Sequence, residues 1–228
     1  MRDRVIVVAG AGGPAGRAAV RRLAAAGARV VAADVRPTSW DEPGVTAAQV
    51  DLLDADGTRE WARRVAAEHG RVDGLVHLVG GWRGGKRFAD TDLADWAFLH
   101  DVLIRTLQHT TLAFCEQLAH SPDGRAVIVS QTGAQRPAQG NAAYAAAKAA
   151  AEAWMLALAD SFDGTGAASA ILVVKALLTD EMRERRPQAP FTGYTHVDDL
   201  ADVIAGLWDR PATELNGNRI DLTVARPR

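Results

Sequence analysis

Several residue types are scarce in this 228-residue chain, and each scarcity excludes a class of protein. A single cysteine, Cys115, excludes an internal disulfide and is typical of a reducing compartment. With 26 Lys and Arg against 28 Asp and Glu, the chain lacks the basic excess that binds nucleic acid or anionic membranes. No apolar run approaches the roughly 18 residues that span a bilayer, and the first residues show no signal-peptide pattern. We therefore expect a cytoplasmic protein with neither nucleic-acid nor membrane partners.

The sequence also lacks the residue spacings of two kinds of functional site, a metal site and a hydrolase active site. The six histidines form no His-x-x-x-His or Cys/His spacing, so no metal site is predicted. Ser130 lacks the Gly-x-Ser-x-Gly context of a hydrolase nucleophile. What is present, 48% hydrophobic and 24% charged residues, is typical of an ordinary globular chain of this length. We predict a single domain over residues 1–228.

Short apolar runs alternate along the chain with longer helical patterns. One of these helices is predicted from about Leu93 to Leu118, and the helix that carries Tyr144 is predicted to reach about Phe162. The runs predicted as strands are residues 4–10, 28–34, 45–51, 73–79, 125–130, 168–174 and 218–224. They are continuously apolar rather than alternating, which indicates a parallel sheet covered on both faces. Because helical patterns lie between them, we predict an α/β fold. Its core is a doubly wound, Rossmann-type parallel sheet of about seven strands with right-handed crossovers.

A glycine-rich turn, GAGGPAG, follows the first predicted strand. Gly10, Gly13 and Gly16 would let backbone N–H groups approach a pyrophosphate at the next helix N-terminus, where the dipole favours anions. A merely tight turn would use glycines too, so the interpretation depends on Asp34, at the end of the second strand. A carboxylate there can accept the adenosine ribose hydroxyls and repel a 2′-phosphate. The pattern favours NAD(H) over NADP(H), although Arg36 could pair with a 2′-phosphate.

Tyrosine and lysine are scarce as well, yet one of each lies on the same face of a predicted helix. The chain has two tyrosines and three lysines, and Tyr144 precedes Lys148 by one helical turn. A cation about 4 Å from a phenol, at an effective dielectric near 20, favours phenolate by about 4 kcal/mol, or about 3 pKa units. The phenol pKa would then lie near 7, where general acid–base catalysis is most efficient. Ser130 ends the fifth strand and could hydrogen-bond the substrate oxygen, although a turn-forming serine is the alternative.

In these motifs the chain resembles the short-chain dehydrogenase/reductase family over essentially its whole length. The resemblance is carried by the glycine turn, by DL at Asp51–Leu52, by SQTG from Ser130, by YAAAK from Tyr144 and by LLTDEM after the sixth strand. It implies an oxidoreductase in which Ser130, Tyr144 and Lys148 are catalytic and Lys148 also binds the nicotinamide ribose. The cofactor contacts expected in this chain are Gly10, Gly13, Pro14, Ala15, Gly16, Asp34, Asp51, Leu52, Val79, Gly80, Tyr144, Lys148 and Thr179.

The family resemblance also implies a homodimer or homotetramer. Small residues recur on the predicted helix that carries the tyrosine, at Ala143, Ala147 and Ala151. Such residues allow two helices to approach closely, either across a subunit interface or within one subunit. The sequence is compatible with both arrangements.

The chain departs from the family pattern at four places. Pro14 replaces a glycine of the commonest turn, and HLVGG at 77–81 stands where Asn-Asn-Ala-Gly is usual. Leu103 takes the place of the asparagine that holds a proton-relay water, and VVK at 173–175 replaces Pro-Gly. Several of these features are similar to quinonoid dihydropteridine reductases, an NADH-preferring branch with a Gly-Gly-Trp-x-Gly-Gly run, here around Trp82. That branch usually lacks the catalytic serine, which this chain retains.

Two functions from different classes fit these observations. The first is an NAD(P)(H)-dependent oxidoreductase that transfers hydride to or from a small carbonyl or imine substrate, pterin-like or cyclic, with Tyr144 as general acid–base. Trp82 would then stack on the substrate, although it could equally cover the core. The second is a non-catalytic cofactor-binding regulator or scaffold, which the missing relay asparagine would suit. Retention of Ser130, Tyr144 and Lys148 favours the enzyme, because a binding protein needs no phenol there.

Overall fold

A computed structural model describes residues 1–223, and its elements follow the predicted order. The strands are β1 (Val5–Ala9), β2 (Arg29–Asp34), β3 (Val45–Gln49), β4 (Gly74–His77), β5 (Arg125–Gln131), β6 (Ala168–Val174), β7 (Leu177–Leu178), β8 (Thr195–His196) and β9 (Asn218–Asp221). The helices are α1 (Pro14–Ala25), α2 (Ala55–His69), α3 (Leu93–His100), α4 (Thr106–His120), α5 (Ala142–Ser161), α6 (Asp180–Arg185), α7 (Val197–Gly206) and α8 (Ala212–Leu215). The last predicted strand reached Val224, which lies outside the described residues.

Seven strands form one parallel sheet in the order β3-β2-β1-β4-β5-β6-β9. The strand order changes direction between β1 and β4, so the predicted doubly wound, Rossmann-type fold is confirmed. β7 and β8 pair separately and were not predicted, because two-residue strands carry no periodic signal. None of the helices within residues 1–223 is long and apolar enough to cross a membrane.

Helices cover both faces of the sheet, and each face has its own apolar core. On one face α2, α4 and α5 pack against side chains such as Val7 and Leu75. On the other face α1 and α7 pack against Ile6 and Val8. Successive residues of β1 therefore alternate between two cores, and all of them are fully buried. Burial on both sides explains why the strand sequences are continuously apolar.

The long helix predicted over 93–118 is interrupted. A π-helical turn, Asp101–Arg105, joins α3 to α4. One extra residue in a turn hardly changes an apolar pattern, so the sequence did not reveal it. Leu103 lies in this turn and is buried in one cluster with Ala147 of α5. π turns widen a helix locally and often occur beside functional sites.

The small residues of α5 pack inside the subunit. Ala147 is fully buried in the cluster that contains Leu103, and Ala151 is buried between α5 and the sheet. Ala143 is partly buried against the same cluster as Ala147. Of the two arrangements compatible with the sequence, packing within one subunit is the one that the structure shows for this stripe.

His77 joins the end of β4 to α4. Its Nε2 lies 3.2 Å from Thr106 Oγ1, and its Nδ1 lies 3.1 Å from Thr110 Oγ1. The two threonines are one helical turn apart on α4, and all three side chains are buried. Burial, together with the positive charge of Lys148, lowers the pKa of His77 to about 3. The imidazole is therefore neutral at physiological pH and acts as a packing residue.

We expect the free energy of unfolding to fall as the pH is lowered from 6.5 towards 3. The unfolded chain takes up a proton on His77 near pH 6.5, whereas the folded protein resists protonation until about pH 3. One proton of difference lowers the free energy of unfolding by up to about 1.4 kcal/mol per pH unit. Urea denaturation at about pH 7, 6 and 5 should show a smaller loss of the free energy of unfolding in His77→Asn than in the wild type, because asparagine does not titrate. Equal slopes in the two proteins would contradict this assignment.

Candidate active site

A cavity of about 510 Å³ opens at the carboxyl ends of β1, β4, β5 and β6. Doubly wound sheets bind ligands at this position, where the strand order changes direction. The predicted site residues that line it are Gly13, Pro14, Ala15, Gly16, Val79, Gly80, Trp82, Ser130, Tyr144, Lys148 and Thr179. Segments that are far apart in sequence therefore meet around one space.

The glycine turn packs closely against its neighbours. Gly10 has a left-handed backbone (φ 80°), and a Cβ there would lie 2.7 Å from the backbone nitrogen of Val79. A Cβ on Gly16 would lie 2.2 Å from the carbonyl oxygen of Gly10. Around Gly13, by contrast, the nearest atom to an added Cβ is the same oxygen at 3.6 Å. The fold itself therefore requires Gly10 and Gly16, and the backbone at Gly13 stays open to the cavity.

The N-terminus of α1 faces the cavity without a capping side chain. Gly13 is the N-cap residue, Pro14 follows at the start of the helix, and the first turn contains no acidic residue. The N–H groups of Ala15 and Gly16 have no acceptor within the helix, because first-turn donors are left unpaired by helical geometry. Together with the partial positive charge of the helix dipole, these donors suit an anion such as a pyrophosphate.

Asp34, at the end of β2, is hydrogen-bonded to the backbone of the same turn. Its Oδ2 accepts a hydrogen bond from the backbone N–H of Gly12 at 2.9 Å, and its Oδ1 accepts one from Arg36 N–H at 3.1 Å. A Cβ on Gly12 would lie 2.8 Å from Oδ2, so a larger residue there would displace this carboxylate, a constraint that the sequence pattern did not identify. Each carboxylate oxygen keeps a free lone pair that could accept a ribose hydroxyl.

Asp51 and Leu52 follow β3 and are not among the residues that line the cavity. Asp51 is exposed, and its Oδ1 accepts from the backbone N–H of Leu53 at 2.9 Å. The Leu52 side chain is buried, and its carbonyl oxygen lies 2.8 Å from His109 Nδ1. These bonds fix the loop after β3. The adenine contact expected of the pair stays a prediction.

Tyr144 and Lys148 lie one turn apart on α5 and both line the cavity. Lys148 Nζ lies 5.8 Å from the centre of the Tyr144 ring and donates to the carbonyl oxygen of Val129 at 2.7 Å. Burial raises the pKa of Tyr144 to about 12. Burial also lowers the pKa of Lys148 to about 8, an effect that the charge of Glu152 opposes.

The expected phenol pKa near 7 is therefore wrong for the protein alone. The shift of about 3 pKa units is an upper limit, because removal from water opposes both charges, and in the folded chain this cost is larger than the attraction of the ammonium group. Tyr144 is a neutral phenol at physiological pH, a state from which it can donate a proton.

Ser130 belongs to a buried polar cluster. Its side chain is fully buried, and its Oγ donates to Glu152 Oε1 at 2.5 Å. Glu152 Oε2 accepts from Arg219 Nε at 2.9 Å, and Oε1 accepts from Arg219 Nη2 at 3.2 Å. The Ser130 hydroxyl thus has an acceptor other than the substrate oxygen expected for it. Sequence reasoning missed Glu152 and Arg219, and the only signal was the four-residue spacing of Glu152 from Lys148.

The walls of the cavity are mainly apolar. Trp82 lines it and is 66% exposed, so this side chain does not cover the core as one interpretation allowed. Leu103 lines it from the π turn, with a hydrocarbon side chain where the family resemblance led us to expect an asparagine. Met182 contributes from α6, and Thr179 caps that helix by accepting from Met182 N–H at 3.2 Å. The contact expected between Thr179 and a nicotinamide stays a prediction, as do those of Val79 and Gly80.

Comparison of the sequence with known proteins matches this chain to one protein family and to curated relatives. A family model described as short chain dehydrogenase matches residues 4–189. The chain is 33% identical over 239 aligned residues to an uncharacterized oxidoreductase from Mycobacterium tuberculosis, which covers 100% of this chain and 92% of the relative. Two other curated relatives are longer, and the chain spans 58% of the length of one and 35% of the other.

Solved structures share the fold. One, described as a short chain dehydrogenase from Shigella flexneri complexed with NADP, has a TM-score of 0.83, 21% identity and 98% coverage of both chains. Another, a 3-ketoacyl-(acyl-carrier-protein) reductase from Brucella melitensis complexed with NADH, has a TM-score of 0.78, 20% identity and 96% coverage of both chains.

Gly16→Ala should destabilise the protein, whereas Gly13→Ala should not. The added methyl at Gly16 meets a backbone oxygen that cannot move away, while the one at Gly13 meets nothing closer than 3.6 Å. Overpacking of this kind costs at least about 2 kcal/mol. For a chain of this size the loss corresponds to about 4–8 °C in Tm, which thermal unfolding followed by circular dichroism would measure. Similar Tm values for the two variants would show that the turn is looser than the structure indicates.

Proposed function

Because this chain belongs to the short-chain dehydrogenase family, we propose that it is an NADH-dependent reductase, or the reverse dehydrogenase, of a small carbonyl or imine substrate. The observation that carries the proposal is the meeting of three parts in one cavity. These are the uncapped N-terminus of α1, the Tyr144 phenol and the Lys148 ammonium group. The first suits a dinucleotide and the other two suit proton transfer.

Residues that line the cavity, together with Asp34, which does not line it but bonds Gly12 of the glycine turn, fit a nicotinamide dinucleotide. The first-turn N–H groups of α1 would hold its pyrophosphate, Asp34 would accept the adenosine ribose hydroxyls, and Lys148 would bind the nicotinamide ribose. When bound, the nicotinamide supplies or accepts the hydride. The related structures include one with NADP and one with NADH, so the proposed preference for NADH rests on Asp34, whose negative charge would repel a 2′-phosphate.

Tyr144 would serve as the general acid in reduction. Burial keeps the phenol protonated at neutral pH, and the substrate oxygen or nitrogen would receive that proton as hydride arrives. The Lys148 ammonium would then stabilise the phenolate that remains. Leu103 leaves the π turn without the polar side chain of the family's proton relay, so the proton would have to return by another route.

The shape of the cavity favours a flat or cyclic substrate. Trp82, Leu103 and Met182 offer apolar contacts, and a ring could stack on the exposed indole of Trp82. A quinonoid dihydropterin is one candidate, in line with the sequence similarity around Trp82.

We also propose that the protein is cytoplasmic and forms a homodimer or homotetramer. The oligomer is supported by Leu112 on α4 and Leu156 on α5, which are exposed apolar side chains that a partner subunit could cover.

A cofactor-binding regulator is the second candidate. The high pKa of Tyr144 and the missing relay side chain at Leu103 favour it. The two functions are separated by following NADH oxidation at 340 nm against quinonoid dihydropterins, ketones and quinones. Tight NADH binding without turnover of any of them would support the regulator.

Tyr144→Phe should abolish turnover while NADH affinity stays within about threefold of the wild type. The substitution removes only the proton donor, and general acid–base catalysis typically contributes about 10²–10⁴-fold. Steady-state rates would measure the first effect, and NADH fluorescence titration the second. Substantial activity in this variant would rule out the proposed mechanism.

The rate of carbonyl reduction should fall as the pH rises through about 8. The Lys148 pKa is lowered from 10.5 to about 8, so the ammonium is charged below this value and neutral above it. Loss of that charge removes the stabilisation of the phenolate. Lys148→Arg keeps its charge at all these pH values, so its rate, although lower, should not show the decline. A wild-type rate that is flat to about pH 10, with the fold intact by circular dichroism, would contradict the assignment.

A further inference from the structure

Two adjacent polar side chains at the carboxyl end of β5 have different surroundings. Both residues line the cavity with Tyr144 and Lys148, but Ser130 is fully buried, whereas Gln131 is partly exposed. The hydrogen bonds that each side chain makes inside the protein therefore decide which of them has a donor free for a substrate.

The hydrogen-bonding capacity of Ser130 is used inside the protein. A serine hydroxyl has one hydrogen to donate, and that of Ser130 is donated to Glu152 Oε1 at 2.5 Å. The acceptor is a carboxylate that is itself buried and paired with Arg219. Redirecting the hydroxyl would leave one oxygen of a buried carboxylate with fewer donors, which is costly. A carbonyl or imine substrate needs a donor, and Ser130 has none free.

Gln131 has a donor left. Its Oε1 accepts from Gly133 N–H at 2.6 Å, and its Nε2 donates to the carbonyl oxygen of Lys175 at 3.1 Å. A primary amide carries two N–H groups, so one remains without a protein acceptor among these bonds. The two bonds hold the amide between β5 and the segment after β6. A Cβ on Gly133 would lie 2.4 Å from Gln131 Oε1, so the glycine makes room for this arrangement.

We propose that Gln131, rather than Ser130, donates the hydrogen bond that orients the substrate oxygen or nitrogen beside Tyr144. This inference rests on the proposed function, and it assigns the polar contact of that site to a different residue. An amide held at both ends is preorganised, so it loses little freedom when substrate binds. A neutral amide is too weak an acid and too weak a base to transfer a proton to the substrate at neutral pH, so that step is left to Tyr144. Ser130 becomes a positioning residue that holds Glu152 next to Lys148.

The test compares three variants in NADH-dependent reduction of acetophenone and of a quinonoid dihydropterin. Gln131→Met keeps the length of the side chain and removes the donor, and kcat should fall about 10²-fold, as for loss of one preorganised donor. NADH affinity should stay close to wild type, while Tm should fall modestly because the bonds to Gly133 and Lys175 are lost. Ser130→Ala should lower Tm, because Glu152 loses a buried donor, and should lower kcat by much less than Gln131→Met does. Gln139→Met, the same change at an exposed position of the same loop, is the matched control.

The opposite pattern would overturn the proposal. If Ser130→Ala reduced kcat 100-fold and Gln131→Met did not, Ser130 would be the donor. A fall in Tm with unchanged kcat in Gln131→Met would show that the amide only ties the loop to Lys175, and this result too would overturn it. These outcomes differ from failure of the proposed function, in which the wild type itself would not turn over any substrate.

A spectroscopic measurement tests the contact without turnover. In the complex of protein, NAD⁺ and carbonyl-labelled acetophenone, a hydrogen bond to the ketone lowers its infrared stretching frequency. The band should lie below that of free ketone in the wild type and Ser130→Ala, and should move back upward in Gln131→Met. A band at the same position in wild type and Gln131→Met would contradict the proposal.

Discussion

Removal of Lys148 from water is the constraint on which the rest of the site depends. An ammonium group in this position costs free energy, and the protein offsets the cost with the Val129 carbonyl at 2.7 Å and the negative charge of Glu152. Even so, its pKa remains lowered to about 8. The same environment disfavours a phenolate, so Tyr144 stays protonated, which is the state that the proposed general acid requires.

Glu152 connects the surroundings of Lys148 to the sheet. It lies on α5, accepts from Ser130 on β5 and pairs with Arg219 on β9, so one carboxylate joins a helix to two strands of the sheet. Buried charges are tolerated when they are paired and hydrogen-bonded, and this one has both kinds of partner. Ser130 is therefore explained by its place in the cluster. Gln131, its neighbour, lines the same cavity with an N–H group that these bonds leave free.

Much of the architecture was predictable from local pattern, and the rest was not for identifiable reasons. The central strands, such as β1 and β6, are continuous apolar runs that are buried on both faces, and α5 extends from Ala142 to Ser161 as its helical pattern indicated. The π turn at Asp101–Arg105 and the short pair β7–β8 carry no periodic signal. Gly12 and Glu152 escaped notice because their importance arises from atoms contributed by distant segments.

The sequence by itself determined the order of strands and helices, the glycine turn before α1 and the spacing of Tyr144 and Lys148 on one helix face, because each depends on residues close together in the chain. Only the tertiary structure decided that, of two residues that border the cavity, Ser130 donates its hydrogen to Glu152 while Gln131 keeps one N–H group free. It also decided that burial outweighs the ammonium in setting the phenol pKa. The physical reason is that desolvation and hydrogen-bond partners are properties of the space around a side chain, and segments far apart in sequence form that space.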